Sequence, residues 1–407
     1  MNQSRASLTT HYPSFLPDCA ELLTGRIGAD RIKGIFVCGS VASGEETIVR
    51  EGEPPILLSD VDLVVVSHSI ETLKEWYPRR FELGDACELL APAMLFKGHV
   101  DVGLLLPSDL EKLPARPGVY DMRHAGRMLR GDARLLELIP RYERSAILPR
   151  EGIILVENRM ASFLDGYPPE CALSQLATYD FLYQVARVYT DLAVAALCIA
   201  GRYEPGYLKR RDVLREVFES EKGGVVASLV STETLSKVDR WTSFKIEPSM
   251  AALGVAPEPQ VLRRVWIDAA KDLLWFWRQA LSYMRDPGAD LLHPLPVDAL
   301  IAKGRRPGGW VDHARSWRIF LSRYPAMRRC MLAGSLGTRL FTSAPLDLVR
   351  EHAVRLLHQR LAFGGECRVG GGRAGFPHAG GAWREAASQL SSIWREIVFG
   401  RRSPQKE

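Results

Sequence analysis

Disulfide and zinc frameworks are missing from this sequence. Its seven cysteines, Cys19, Cys38, Cys87, Cys171, Cys198, Cys330 and Cys367, are odd in number and none forms a C-x-x-C pair. Scattered single cysteines argue against a cystine scaffold or a cysteine zinc finger, and all seven are expected as reduced thiols in the core. No secretory leader is expected either, because Met1 to Thr10 is polar. The longest apolar run, Leu192 to Ala200, is about half of what a bilayer span needs, so it is expected as a buried helix and no membrane partner is expected. One-sided charge is also scarce. A net charge of +5 over 407 residues is mildly basic, and the arginines are scattered rather than striped, so nucleic acid is not indicated. No internal repeat occurs. These absences leave a cytoplasmic protein as the expectation, of undetermined oligomeric state.

What is present is the mixture of an ordinary globular protein, 46% hydrophobic and 25% charged. The chain is long enough for two or three domains. Its first third alternates strand and helix signals. Pro13 to Leu23 reads as a helix. Ile32 to Cys38 is a β-branched run that stops at Gly39-Ser40, and Val41 to Ile48 reads as a helix start. Arg50 to Pro55 is a polar loop. Ile56 to Val66 is a strand interrupted near its start by Ser59-Asp60-Val61-Asp62. Glu71 to Phe81 reads as a helix, and His99 to Leu106 as a buried strand interrupted by Asp101. Gly118 to Leu138 reads as one or two short helices around Arg130-Gly131-Asp132.

Beyond Pro149 the strand signals stop. Apolar residues recur at helical spacing in Ile153 to Leu164, Ser174 to Gly201, Lys209 to Phe218 and Glu258 to Tyr283, and later in Leu346 to Leu361 and Trp383 to Val398. The expected fold class is α+β: a sheet-bearing domain over 1–145, a helical domain over 146–285, and a C-terminal helical region over 286–407. The last region carries a glycine-rich stretch at 364–381. No strand precedes it, so it reads as a flexible loop rather than an anion cradle.

The acids carry the chemical signal. Asp60 and Asp62 stand at i and i+2, which on a strand puts both carboxylates on one face. Two like charges beside Leu63 to Val66 are costly unless a cation neutralises them, and hard Mg²⁺ prefers carboxylate oxygens. Asp101 lies in a second apolar strand, HVDVGLLL. If the strands are neighbours, three acids converge as the ligand set of a two-metal site. The bland alternative is a turn cap and a solvated strand end. Gly39-Ser40 bears on that choice. Glycine lets backbone approach a ligand, and the Ser40 hydroxyl with free amides at a following helix start can hold phosphate oxygens. An anion site beside a metal site is what an Mg-NTP enzyme requires.

At IFVCGS, SDVDLVVV and HVDVGLLL, in that order, the sequence resembles the DNA polymerase β-like nucleotidyltransferase superfamily. The resemblance covers about Ile27 to Leu138. It implies a small mixed sheet flanked by helices, ahead of an all-helical C-terminal half. It implies Gly39 and Ser40 on the triphosphate, Asp60 and Asp62 on two Mg²⁺ ions, and Asp101 on one of them and on activation of the acceptor hydroxyl. The implied activity is Mg²⁺-dependent transfer of a nucleoside monophosphate from an NTP to a hydroxyl, with pyrophosphate released. The layout looks like that of small-molecule nucleotidyltransferases. Nucleotidylation of a protein or nucleic acid, and a non-catalytic nucleotide-binding protein, are the alternatives. The sequence departs from compact members by a longer insert between Gly44 and Ser59, expected at the mouth of the site.

Other residues carry two readings each. Arg123 and Arg127 stand at i and i+4 on an expected helix, as a solvated face or as counter-charge to a triphosphate. Glu45 and Glu46 are expected solvated at a helix start. Tyr179, Tyr183, Lys209, Arg210 and Arg211 are expected as packing and surface charge. Trp266, Trp275, Phe276 and Trp277 are expected as helix packing. Arg306 to His313 has the spacing of an Arg-to-His ribonuclease pair, but Pro307-Gly308-Gly309 interrupts it.

Overall fold

The computed structural model describes residues 8, 12–51, 55–91, 95–169, 171–220, 224–302 and 345–362, with single positions between 383 and 394. Contacts divide the chain into two compact units. One joins Met1–Gly152 to Glu170–Leu262, and the other joins Ile153–Pro169 to Arg263–Glu407. This division differs from the boundaries expected at 145 and 285. The helices between 175 and 246 belong with the sheet, because buried polar contacts set out below tie them to it.

In the first unit, α1 (Phe15–Ile27) ends at Gly28, whose φ of 107° suits only glycine. It leads into β1 (Ile32–Cys38), α2 (Gly39–Ala42), β2 (Ile48–Val49), β3 (Ile56–Leu57) and β4 (Val61–Ser67). Then come α3 (Ile70–Trp76), α4 (Arg80–Glu88), β5 (Leu95–Phe96), β6 (Val100–Leu105), α5 (Pro107–Leu110), α6 (Pro117–Ala125) and β7 (Arg127–Gly131). The main sheet has the order β6-β4-β1-β7 and is mixed: β4 runs parallel to β6, while β1 is antiparallel to both β4 and β7.

The alternation of β1 and β4 sorts their side chains between two cores. Ile35, Val37, Leu63 and Val65 pack with Leu16, Leu23, Leu83 and Cys87 from α1 and α4. Phe36, Cys38, Val64 and Val66 pack on the other face with Leu110, Val119, Leu135 and Ile139. A small second sheet of order β2-β3-β5 is built largely from the insert. The 44–59 segment is therefore sheet and buried polar turn as well as loop.

The unit continues through α7 (Pro149–Phe163, shared with the other unit), α8 (Gln175–Ile199), α9 (Tyr207–Ser220), α10 (Val225–Leu229), α11 (Thr232–Ile246) and α12 (Met250–Leu253). Serine side chains open three of them: Ser174 accepts from the Ala177 N–H at 3.2 Å, Ser231 from the Thr234 N–H at 3.0 Å and Ser249 from the Ala252 N–H at 3.3 Å. Among the described residues α8 is the one helix long and apolar enough to cross a membrane, and 78% of its apolar window is buried within the protein. Tyr189 on α8 stacks on Trp241 of α11 at 6.0 Å, so its apolar surface meets protein.

The second unit gathers the end of α7 with α13 (Pro259–Arg285), α14 (Val297–Ala302) and α15 (Pro345–Ala362). Phe163 stacks on Trp266 at 5.2 Å, and Tyr167 meets the same indole edge-on at 5.1 Å. Trp277 donates to the Glu157 carboxylate at 3.1 Å. Trp266, Phe276 and Trp277 are buried as expected for packing, whereas Trp275 is 43% exposed. The helix expected over Leu346 to Leu361 is α15. The 364–381 stretch, Arg306 to His313 and most of the Trp383 to Val398 helix lie outside the described residues.

Candidate active site

The parallel pairing of β4 with β6 sets the site. Asp62 is the direct partner of Asp101, and on β4's other side Asp62 pairs with Cys38. Directly paired strand residues share a face, so Asp62 and Asp101 lie side by side. Asp60 stands just before β4. All three acids are half-buried, and their charges act on one another. Burial, then the Asp60 and Asp101 charges, push the Asp62 carboxyl up to about 7, with Arg187 opposing.

The turn after β1 is shaped around Asp62. Gly39 has φ +68°, and a Cβ there would fall 2.3 Å from Asp62 Oδ2. Any side chain would displace the carboxylate, so the glycine seats an acid as well as bending the chain. The helix expected from Val41 to Ile48 is shorter. It stops at Ala42, and Gly44, at φ +66°, turns the chain toward the second sheet. Ser40 sits half-exposed in this single turn.

Asp60 is partly engaged by the protein. Its Oδ1 accepts the His99 N–H at 3.1 Å, and its Oδ2 faces Arg187 of α8 at 3.9 Å. Among the described residues no three His, Cys, Asp or Glu side chains stand so that they could hold a metal ion. The expected convergence is thus present as strand register and mutual charge, while a closed metal cage is not. Asp60 turns instead to an N–H and a guanidinium.

Two corrections concern charged residues. Arg123 and Arg127 do not share a helix face. Helix α6 ends at Ala125, Gly126 breaks it, and Arg127 begins strand β7 as the partner of Val37. That register puts Arg127 on the face of Val37 and Leu129, opposite the Asp62 face, and it is exposed. Arg123 remains on α6, half-buried, with an Nε that finds no hydrogen-bond partner. Glu45 and Glu46 are buried rather than solvated. Glu45 accepts the N–H groups of Tyr207 and Leu208, at 2.5 and 3.2 Å, and caps α9. Glu46 accepts the Leu8 N–H.

Several residues that periodicity hides also frame the site. Lys245 of α11 is only 1% exposed, and its Nζ donates to the hydroxyls of Thr47 and Ser59 at 2.9 and 3.0 Å. Burial, then Arg187, push its pKa down to about 7, against the pull of Asp60, Glu45 and Glu46. Arg187 lies over the Tyr183 ring at 5.6 Å; burial works against its charge, but Tyr183, Asp60 and Asp191 outweigh it and the guanidinium stays charged.

Asp121 on α6 pairs with Arg210 at 3.4 Å, and burial raises its pKa against that pairing. Arg210 is therefore a buried partner rather than surface charge. Lys209 bridges to Glu204 at 2.8 Å and is 58% exposed, and Arg211 pairs with Asp212 at 2.8 Å. Tyr179 and Tyr183 are buried, and Tyr179 donates to Glu51. A lysine or arginine at a buried helical position looks like any surface cation in sequence, and only a polar partner far along the chain reveals it. Comparison with family models, with curated proteins and with solved structures found no match.

Proposed function

We propose that this chain is a nucleotidyltransferase of the polymerase β-like kind, which moves a nucleoside monophosphate from an NTP to a hydroxyl of a small molecule. The observation that carries the reading is the register of Asp62 on Asp101, with Asp60 beside them and Gly39-Ser40 at the adjoining strand end. The donor chemistry fits Mg²⁺: every acid in the group offers hard oxygen ligands, and the Asp62 carboxyl is poorly compensated by the protein itself. Asp60, Asp62 and Asp101 would have to draw together around the ions, since as they stand they form no group of three able to hold one. When bound, Mg²⁺ would neutralise the triphosphate and lower the pKa of the attacking hydroxyl.

The chain's own groups do the rest. Gly39 leaves room for the Asp62 carboxylate, and the Ser40 hydroxyl is offered to a phosphate oxygen. Arg187, facing Asp60, and Arg123, with its unpartnered Nε, supply counter-charge for phosphate. Arg127 is withdrawn from that role. The α8, α9 and α11 segments belong to the same compact unit as the acids, which gives an acceptor a wall without a second unit.

The test is incubation with Mg²⁺, α-labelled NTPs and a panel of hydroxylated small molecules, scoring pyrophosphate and labelled product. Label moving to a small acceptor is the expected result. Label found only in macromolecules would reject the small-molecule acceptor. NTP binding without pyrophosphate release would reject the enzyme.

A further inference from the structure

We infer that Lys245 is a positioning residue for the acids: from α11 its ammonium ties Thr47 to Ser59 and so fixes the chain where it enters Asp60-Val61-Asp62. The inference rests on the reading of those acids as the reactive centre. A buried ammonium is expensive, and an apolar side chain of similar volume is commonly as stable or more so. This one is spent on two hydroxyls belonging to a segment nearly two hundred residues away in sequence. Nζ donates to Thr47 Oγ1 at 2.9 Å and to Ser59 Oγ at 3.0 Å, and the Thr47 hydroxyl donates back to the Lys245 carbonyl at 2.7 Å. The Tyr183 and Tyr207 rings lie 5.0 and 4.8 Å from Nζ and close the remaining sides.

Ser59 is fully buried and immediately precedes Asp60. It is held from three directions. Its hydroxyl accepts the Thr47 N–H at 2.8 Å as well as the Lys245 ammonium. Its carbonyl packs against Gly98 so closely that a Cβ there would fall 2.2 Å away. The next residue, Asp60, takes the His99 N–H. Three of these ties, from Thr47, Gly98 and His99, come from turns beside β2, β5 and β6, and one comes from α11. The lysine thus makes the helical segment a mechanical part of the acid site without touching an acid.

The experiment compares wild type with Lys245→Met and Ser59→Ala. Lys245→Met strands neither hydroxyl: Thr47 still donates to the residue 245 carbonyl and Ser59 still accepts the Thr47 N–H. Ser59→Ala removes one acceptor from the opposite side of the tie. Amide hydrogen exchange is read by mass spectrometry across 45–62, and Mn²⁺ binding by electron paramagnetic resonance, both beside the melting temperature. In both variants, exchange across 59–62 is expected to quicken about tenfold. Mn²⁺ affinity is expected to fall about tenfold, with the Lys245→Met melting temperature no lower than wild type.

Unchanged exchange across 59–62 in folded variants overturns the inference, whatever Mn²⁺ does, because a lysine that only fills space would not move it. If Lys245→Met does not fold, Ser59→Ala is judged by the same criterion. Quickened exchange in a protein whose wild type binds no Mn²⁺ leaves the positioning role standing and removes the metal-dependent reading of the site.

Discussion

Two pairs of acids lie within eighteen residues of each other, and the protein treats them differently. Glu45 and Glu46 are 7% and 4% exposed, and both accept backbone N–H groups from distant segments. Asp60 and Asp62 are half-buried, with Asp101 alongside. The Asp62 carboxyl stands raised to about 7 by burial and by its like-charged neighbours. The glutamates are held by backbone N–H groups of distant segments, although the Glu46 Oε2 is buried with no hydrogen-bond partner. Among the aspartates, Asp60 is engaged by the His99 N–H and Arg187, while Asp62 stands against like charges. Burial alone would rank the glutamates as the more suspicious pair; charge by charge, Asp62 is the acid pressed by like-charged neighbours.

That contrast predicts different consequences for removing each charge. The largest effect is expected at Asp62. Asp62→Asn should lower NTP-dependent pyrophosphate release by about a thousandfold while raising the melting temperature, since it relieves a buried repulsion. Steady-state turnover and thermal melts check both halves, and retained turnover would dissolve the distinction between the pairs. Glu45→Ala should do the reverse. It strips two N–H groups at the start of α9 of their acceptor and should cost about 2 kcal/mol of stability, with turnover per folded molecule unchanged. Denaturant melts at matched folded concentration are the measurement.

A pH series sharpens the same comparison. Asp62 keeps its proton in the folded chain up to about 7 but only to about 3.9 unfolded, so the folded state binds the extra proton between those values. Stability of the metal-free protein should therefore fall as pH rises from about 4 to about 7 and then level. Lys245 acts in the next window. Its folded pKa of about 7 lies below the ordinary 10.5, so its burial cost is full below about 7 and is relieved as pH climbs toward 10.5. Melts of Asp62→Asn should lack the first slope, and melts of Lys245→Met the second. The smallest effect is expected at Arg127. Arg127→Ala should change turnover less than about twofold, because its strand register faces it away from Asp62, whereas Arg123→Ala should raise the KM for NTP about tenfold. Equal effects would place both arginines at one site.

Short-range sequence pattern made much of the sheet end readable. The β-branched runs of β1 and β4, the stop at Gly39-Ser40 and the acids embedded in apolar strands all follow from neighbours within a few residues. The mixed α+β class, with helices through the C-terminal half, is likewise what periodicity implies. Where reading failed, the reasons are local as well. Gly126 ends α6 one residue before Arg127, so a spacing that suits a helix face crosses from helix to strand. Gly44 cuts short the helix expected after Ser40. At Glu45 and Glu46 the side-chain partners lie 162 and 38 residues away, which no local pattern can announce.

By itself, then, the sequence determined that β1, β4 and β6 form and that acids ride with β4 and β6, because strand alternation and turn residues are properties of a few consecutive side chains. Only the tertiary structure decided that β4 and β6 are parallel neighbours in the register that sets Asp62 beside Asp101. It alone also decided that a lysine of α11 grips the turn before Asp60. Pairing across a sheet and hydrogen bonds over two hundred residues depend on which surfaces meet when the chain closes, and that information resides in no single segment.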